Sequence, residues 1–197
     1  MDFSLLLHCA LTLLIGAFII CALVVVVARL RWGWHPSALR LTALPILAVY
    51  AVFVIVVTLL PLPDKTTFTC GSPYFYPRFF VGWSVHFALQ HNTSLVGAFL
   101  SKYTAQVLLN IALFIPLGAF LNWLFRLNFR AALLIGFACT LGIELTQLTG
   151  LWGYYDCAYR TFDAEDLLGN TCGAVLGWIA VEWTRRRVRG IKGLPNL

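Results

Sequence analysis

Five apolar runs, at roughly 3–28, 39–60, 106–125, 131–149 and 166–183, decide what this chain can fold into. Each approaches the ~20 residues that an α-helix needs to cross a ~30 Å hydrocarbon core. In lipid, only helices and closed barrels satisfy all their own backbone N–H and C=O groups. Uninterrupted runs of this length select helices. Composition agrees, since 60% of the residues are hydrophobic and 11% are charged, against about 25% charged in a soluble domain. The expected fold is all-α: a polytopic membrane protein of about five transmembrane helices. Pro45 in the second run, and Pro116 followed by Gly118 in the third, mark expected bends. Neighbouring helices can satisfy the carbonyls that these prolines free.

The basic residues orient the set. Arg29, Arg31 and Arg40 lie between the first two runs, Arg126 and Arg130 between the third and fourth, and Arg185, Arg186, Arg187, Arg189 and Lys192 after the fifth. Lys65, Arg78, Lys102 and Arg160 are spread over the opposite loops. The positive-inside rule then puts the N-terminus outside and the C-terminus inside. The net charge of +6 is therefore a topology signal, and nucleic acid is not an expected partner. Asp2 stands where a signal peptide would carry positive charge, and the run from Phe3 to Ala28 exceeds a signal core, so a retained helix is expected.

Residues 61–105 form the longest piece that does not span. The segment opens Pro61-Leu62-Pro63-Asp64 and carries Phe68, Tyr74, Phe75, Tyr76, Phe79, Phe80 and Trp83. Aromatic residues favour the headgroup level. An aromatic-rich interfacial or partly re-entrant element is expected on the outer face, with a short helix near 79–90. It would serve as an aromatic belt or as the cap of a headgroup pocket. Of the six cysteines, Cys9, Cys21, Cys139 and Cys172 fall in apolar runs and read as small apolar residues. Cys70 and Cys157 fall in outer loops, where they can pair if that face is oxidising.

Polar residues concentrate between Glu144 and Asn170. Five of the eight acids fall there: Glu144, Asp156, Asp163, Glu165 and Asp166, with Arg160 among them. Charge at a membrane edge is expensive and marks a candidate site. Thr140, Glu144 and Gln147 share one helical face at i, i+4 and i+7. Arg160, Asp163, Asp166 and Asn170 share another if the last helix starts early, and Asp163 or Asp166 can instead cap it. Gln106 and Asn110 give the third run a polar face at the same depth. Arg160 suits an anion clamp. Glu144, Asp163 and Asp166 suit acid, base or cation-ligand roles, and Asn110, Gln147 and Asn170 suit hydrogen bonds to a ligand. An ion pair between Arg160 and one of these acids is expected, because an unpaired charge there is costly. A buried ion-pair network that only sets helix packing is the competing reading. Gly169, Gly173 and Gly177 recur every four residues and favour close packing of helices within the chain.

Other chemistry finds no support. His8, His35, His86 and His91 show no metal-ligand spacing, and GxSxG, HExxH, CxxC and P-loop patterns do not occur. No metal is expected and no cofactor is indicated.

Three motifs together resemble the VanZ-like family. They are Asn110-Ile-Ala-Leu-Phe114-Ile-Pro116-Leu-Gly118, Ile143-Glu144-Leu-Thr-Gln147, and the run from Arg160 through Asp163, Asp166 and Asn170 to Gly173. Tyr50 and Thr58-Leu-Leu-Pro61 resemble the family's first core helix. The likeness spans roughly 40–183. The loop with Gly150, Gly153 and Tyr154-Tyr155 stands outside these motifs. The resemblance implies a role in a bacterial cell envelope, since the family takes its name from a protein associated with resistance to teicoplanin, a lipid-bearing glycopeptide. The expected organisation is an extra N-terminal transmembrane helix and basic cytoplasmic loop over 1–38, a VanZ-like membrane domain over 39–183, and a basic cytoplasmic tail over 184–197. The expected setting is the bacterial inner membrane. The expected partners are membrane lipids and a lipid-linked or lipoglycopeptide ligand, bound or modified at an outward-facing polar site. A non-catalytic assembly protein is the first alternative. A small transporter is the second, disfavoured because the polar residues gather at one face.

Overall fold

The computed structural model describes residues 11–12, 14–16, 18–19, 22–23, 25–27, 29–30, 33, 37–71, 76–92 and 94–191. Those between 11 and 30 are helical, but much of the first expected span, including His8, Cys9 and Cys21, lies outside the described residues. The helices that follow are α1 (Ala38–Leu59), α2 (Trp83–His91), α3 (Leu95–Phe99), α4 (Lys102–Trp123), α5 (Phe129–Leu148), α6 (Gly150–Gly153) and α7 (Ala164–Ile191). Among the described residues the only bridge outside helices is an isolated parallel pairing of Arg78 with Asp163. The chain is all-α, as its apolar runs require.

The chain forms two compact units, Met1–Leu62 and Pro63–Leu197. The first contains α1, which continues through Pro45. The second contains α2 to α7 and every candidate site residue. Among the described residues three helices are long and apolar enough to cross a membrane: Leu41–Leu59, Lys102–Trp123 and Phe129–Leu148. The fifth expected span lies within α7, which is not among them. Its length, about 42 Å at 1.5 Å per residue, is ample. Asn170, Thr171, Glu182 and the repeated glycines dilute its apolar character. It also runs to Ile191, so the expected tail begins as helix.

In the second unit α4 and α7 run parallel and α5 runs antiparallel to both. The glycines fix this geometry. A Cβ on Gly177 would stand 1.9 Å from the Ile115 carbonyl oxygen, and one on Gly118 would stand 1.7 Å from the Ala174 carbonyl oxygen. The α4 and α7 backbones therefore meet without side chains between them, which only glycine permits. On α5 the residues Ala132, Gly136, Thr140, Glu144 and Gln147 are buried. This is the face that the spacing of its polar residues picked out. Ser101 caps α4 through the Thr104 N–H (3.3 Å), and Asn128 caps α5 through the Ala131 N–H (2.9 Å). In the aromatic segment, α2 occupies the place expected for a short helix, with Phe87 stacked on His91 and packed on Tyr103 of α4.

Beyond α5 the chain turns through four successive positive φ values at Gly150, Leu151, Trp152 and Gly153. A Cβ on Gly150 would stand 2.5 Å from the carbonyl oxygens of Tyr155 and Cys157. This left-handed turn delivers Cys157 to Cys70, and the two form a disulfide with Cα atoms 5.8 Å apart. Tyr155 adds a hydrogen bond from its hydroxyl to the Pro63 carbonyl oxygen (2.7 Å) and an edge contact with Phe68. The loop after α5 is thus held to residues 63–70. Cys139 and Cys172 are free thiols.

The packing predicts opposite signs for two glycine substitutions. Gly177→Ala must push α7 off α4 and should cost about 1–3 kcal/mol. Gly142→Ala meets no atom within 4 Å and should be neutral or stabilise by up to about 1 kcal/mol. Thermal unfolding of both variants in detergent is the check, and equal midpoints would refute the close approach.

Candidate functional site

Asp163 ends the loop before α7 and is 1% exposed. Its carboxyl Oδ1 accepts from the Glu165 N–H at 2.9 Å, so Asp163 takes the alternative role of a cap rather than a place on the helix face. Its backbone N–H donates to Glu144 Oε2 on α5 at 2.8 Å. Glu144 is itself 2% exposed. Two acids that the sequence placed on separate helices are therefore joined through one backbone amide.

The cation at this junction is Arg78. Its Nη2 stands 3.0 Å from Asp163 Oδ2. The backbone holds it there: the Arg78 N–H donates to the Phe162 carbonyl (2.8 Å) and the Ala164 N–H donates to the Arg78 carbonyl (2.9 Å). The expected ion pair joined Arg160 to Glu144, Asp163 or Asp166; at Asp163 the partner is Arg78. Arg160 precedes the helix rather than lying on its face, because α7 starts only at Ala164. It is half-buried beside Tyr159. Burial pushes the Tyr159 phenol up, and the Arg160 charge partly opposes that shift. Burial likewise raises the Asp163 carboxyl above its ordinary value, against the pull of the Glu165 N–H and of Arg78.

The amides complete the set. Asn110 on α4 donates its Nδ2 to Asp166 Oδ1. Asn170 donates to Thr140 Oγ1 at 2.9 Å. Gln147 is buried one turn beyond Glu144, and its backbone carbonyl accepts from the Tyr159 N–H at 3.4 Å. Of the predicted residues, Asn110, Glu144, Asp163, Asp166 and Asn170 are thus drawn together with Thr140 where α4, α5 and α7 meet. Gln147 and Arg160 flank them along the loop that leads to α7.

Two charged groups at this junction have no counterpart among the expected site residues. Arg78 had counted only as a loop charge, although five acids against one arginine implied a second cation. Glu165 had counted only as part of the acidic stretch. Its two carboxylate oxygens accept from the N–H groups of Gly82 (2.8 Å) and Ser84 (2.9 Å). It therefore caps α2, whose own N-cap Gly82 has no side chain to do so. No spacing rule links positions this far apart.

Among the described residues three buried polar atoms lack a hydrogen-bond partner: Arg78 Nε, Asp163 Oδ2 and Asn170 Oδ1. For Asp163 Oδ2 the ion pair with Arg78 meets the distance but not hydrogen-bond geometry. With the Arg78 charge at Asp163 Oδ2, one donor, Arg78 Nε, and one acceptor, Asn170 Oδ1, have no protein partner. Among the described residues, no group of three or more His, Cys, Asp or Glu side chains could hold a metal ion.

A sequence model of the VanZ/LLP1 family matches residues 47–185. The chain belongs to the VanZ/LLP1 family. The match contains the whole junction just described, from Arg78 to Asn170. No curated protein and no solved structure matches the chain. With its apolar helices, this VanZ/LLP1 chain is a membrane protein.

The ion pair predicts unequal partners. The Arg78 side chain is 33% exposed and that of Asp163 2%. Arg78→Gln strands a buried carboxyl and should cost about 2–3 kcal/mol, less than a fully buried pair because Arg78 is partly hydrated. Asp163→Asn keeps the cap and leaves an arginine that water can reach, so it should cost about 1 kcal/mol or less. A double-mutant cycle on detergent-solubilised protein should show Arg78→Gln becoming cheaper in the Asp163→Asn background. Additive costs would exclude the pair.

Proposed function

We propose that the junction of α4, α5 and α7 is an outward-facing site in the bacterial inner membrane that binds or modifies an amphiphile with a polar head. The ligand class is an envelope lipid or a lipoglycopeptide of the teicoplanin kind. The observation that carries this reading is the pair Arg78 Nε and Asn170 Oδ1, buried without hydrogen-bond partners. A head bearing hydroxyl groups offers both the acceptor and the donor that these atoms need. Glu144, Asp163 and Asp166 are the candidate acid and base groups. Arg78 and Arg160 are the candidate anion clamps, and Asn110, Gln147 and Asn170 orient the head. In this reading α7 also spans, its polar face turned to the site rather than to lipid.

Two further observations support the setting. The Cys70–Cys157 disulfide suits an oxidising compartment, which is the outer side of the inner membrane. The distribution of basic residues puts the same loops outside. The family's name favours a part in glycopeptide resistance.

A second reading is a packing or assembly protein whose charged cluster is structural. The full use of the Glu165 carboxylate as a helix cap favours it. A transporter has less support, because the polar set gathers at one end of the bundle.

The two main readings predict opposite orders of failure. For a working site, Glu144→Gln and Asp166→Asn should abolish the change in extracted lipids, or in teicoplanin susceptibility, that the wild type confers. Membrane abundance and unfolding midpoint should stay near wild type. For a structural network, abundance should fall first, since stranding a buried charge costs about 3–5 kcal/mol. Normal phenotype with reduced stability in both variants would exclude the site.

A further inference from the structure

The other end of the bundle carries a second feature. Between α4 and α7 runs a groove of about 580 Å³, lined along its length by Ile115, Trp123, Ala180 and Val181 and, toward the end of α7, by Arg185 and Arg189. Its volume falls within the ~300–1,000 Å³ of small-molecule sites. Arg185 lies nineteen residues beyond Asp166 on the same helix, about 28 Å away. That separation matches a ~30 Å hydrocarbon core, so the groove opens at the membrane face opposite the acidic junction.

Charge decides the occupant. The last turns of α7 carry Arg185, Arg186, Arg187 and Arg189 against the single acid Glu182. Glu182 is shared by Arg185 (3.1 Å) and Arg186 (2.9 Å). Arg185 is further fixed by donating Nη2 to the Asn122 carbonyl at 3.3 Å. A guanidinium has five N–H donors, so Arg185 is held at the mouth of the groove with donors to spare. Pre-fixed guanidinium forks bind phosphate well. Basic pockets between transmembrane helices at the inner face suit anionic lipid headgroups.

We propose that this groove holds one anionic phospholipid, with an acyl chain along Ile115, Trp123, Ala180 and Val181 and its phosphate on Arg185 and Arg189. The two guanidiniums that line the mouth, Arg185 and Arg189, select a net-negative headgroup over a zwitterionic one. The proposal shares with the proposed function the premise that α7 spans, and does not depend on what the acidic junction binds.

The test is lipid titration of the delipidated full chain in detergent, read by native mass spectrometry. Phosphatidylglycerol and phosphatidylcholine with identical acyl chains are the probes. The first phosphatidylglycerol should bind at least about tenfold more tightly than phosphatidylcholine, or ~1.4 kcal/mol. The double variant Arg185→Gln/Arg189→Gln should remove that preference. Because Arg185 also braces Asn122, the single variant Arg189→Gln is measured beside it and should lose at least about threefold. Ala180→Trp, which fills the groove and keeps both arginines, should weaken phosphatidylglycerol about tenfold. Arg187 lies against Trp183 rather than in the groove, so Arg187→Gln should stay within about twofold of wild type. Equal wild-type affinity for the two lipids, binding indifferent to Ala180→Trp, or an Arg187→Gln loss equal to that of Arg189→Gln would each overturn the site.

Discussion

The burial of Asp163 is the constraint on which the second unit depends. One residue caps α7, meets Arg78 and gives its N–H to Glu144. Three stretches of chain far apart in sequence are thereby fixed at one point: the segment carrying Arg78, the end of α5 and the start of α7. A carboxyl placed this deep is costly unless its lone pairs are occupied. The Glu165 N–H and the Arg78 guanidinium offset that cost. Glu165, two residues on, extends the junction by capping α2 through the Gly82 and Ser84 amides.

The glycine contacts of α4 and α7 set the register in which this junction forms. Because the two backbones touch at Gly118, Gly173 and Gly177, the parallel pair brings Asn110 to Asp166 and, with α5, Asn170 to Thr140. Bulkier residues there would separate the helices and leave these amides without partners. In lipid, where apolar burial between helices gains little, close backbone contact and such hydrogen bonds are the main sources of helix association. Packing and site therefore rest on the same few positions.

Much of this was legible in the sequence. Long apolar runs specify helices because lipid offers the backbone no other partner. The i, i+4, i+7 spacing of Thr140, Glu144 and Gln147 picked out the face of α5 that is buried. The glycine repeat marked an intramolecular contact, which is what α4 and α7 make. What local pattern could not give is pairing between distant segments. Arg78 reaches Asp163 through a two-residue backbone bridge, and Glu165 reaches α2 from more than eighty residues away. Neither leaves a periodic trace. The start of α7 was placed too early because Asp163 ends the loop as a cap, which leaves Arg160 outside the helix. Hydropathy does not mark α7 as a span, since Asn170, Thr171, Glu182 and its glycines dilute its apolar character.

The central claim is that this junction faces the oxidising side of a membrane. The disulfide beside it allows a direct measurement. Intact cells are treated with a membrane-impermeant phosphine and then with an impermeant maleimide, and the labelled cysteines are located by peptide mass spectrometry. Cys70 and Cys157 should take up label in intact cells only after the phosphine treatment. Labelling without reduction, or labelling that appears only once the membrane is permeabilised, would contradict it.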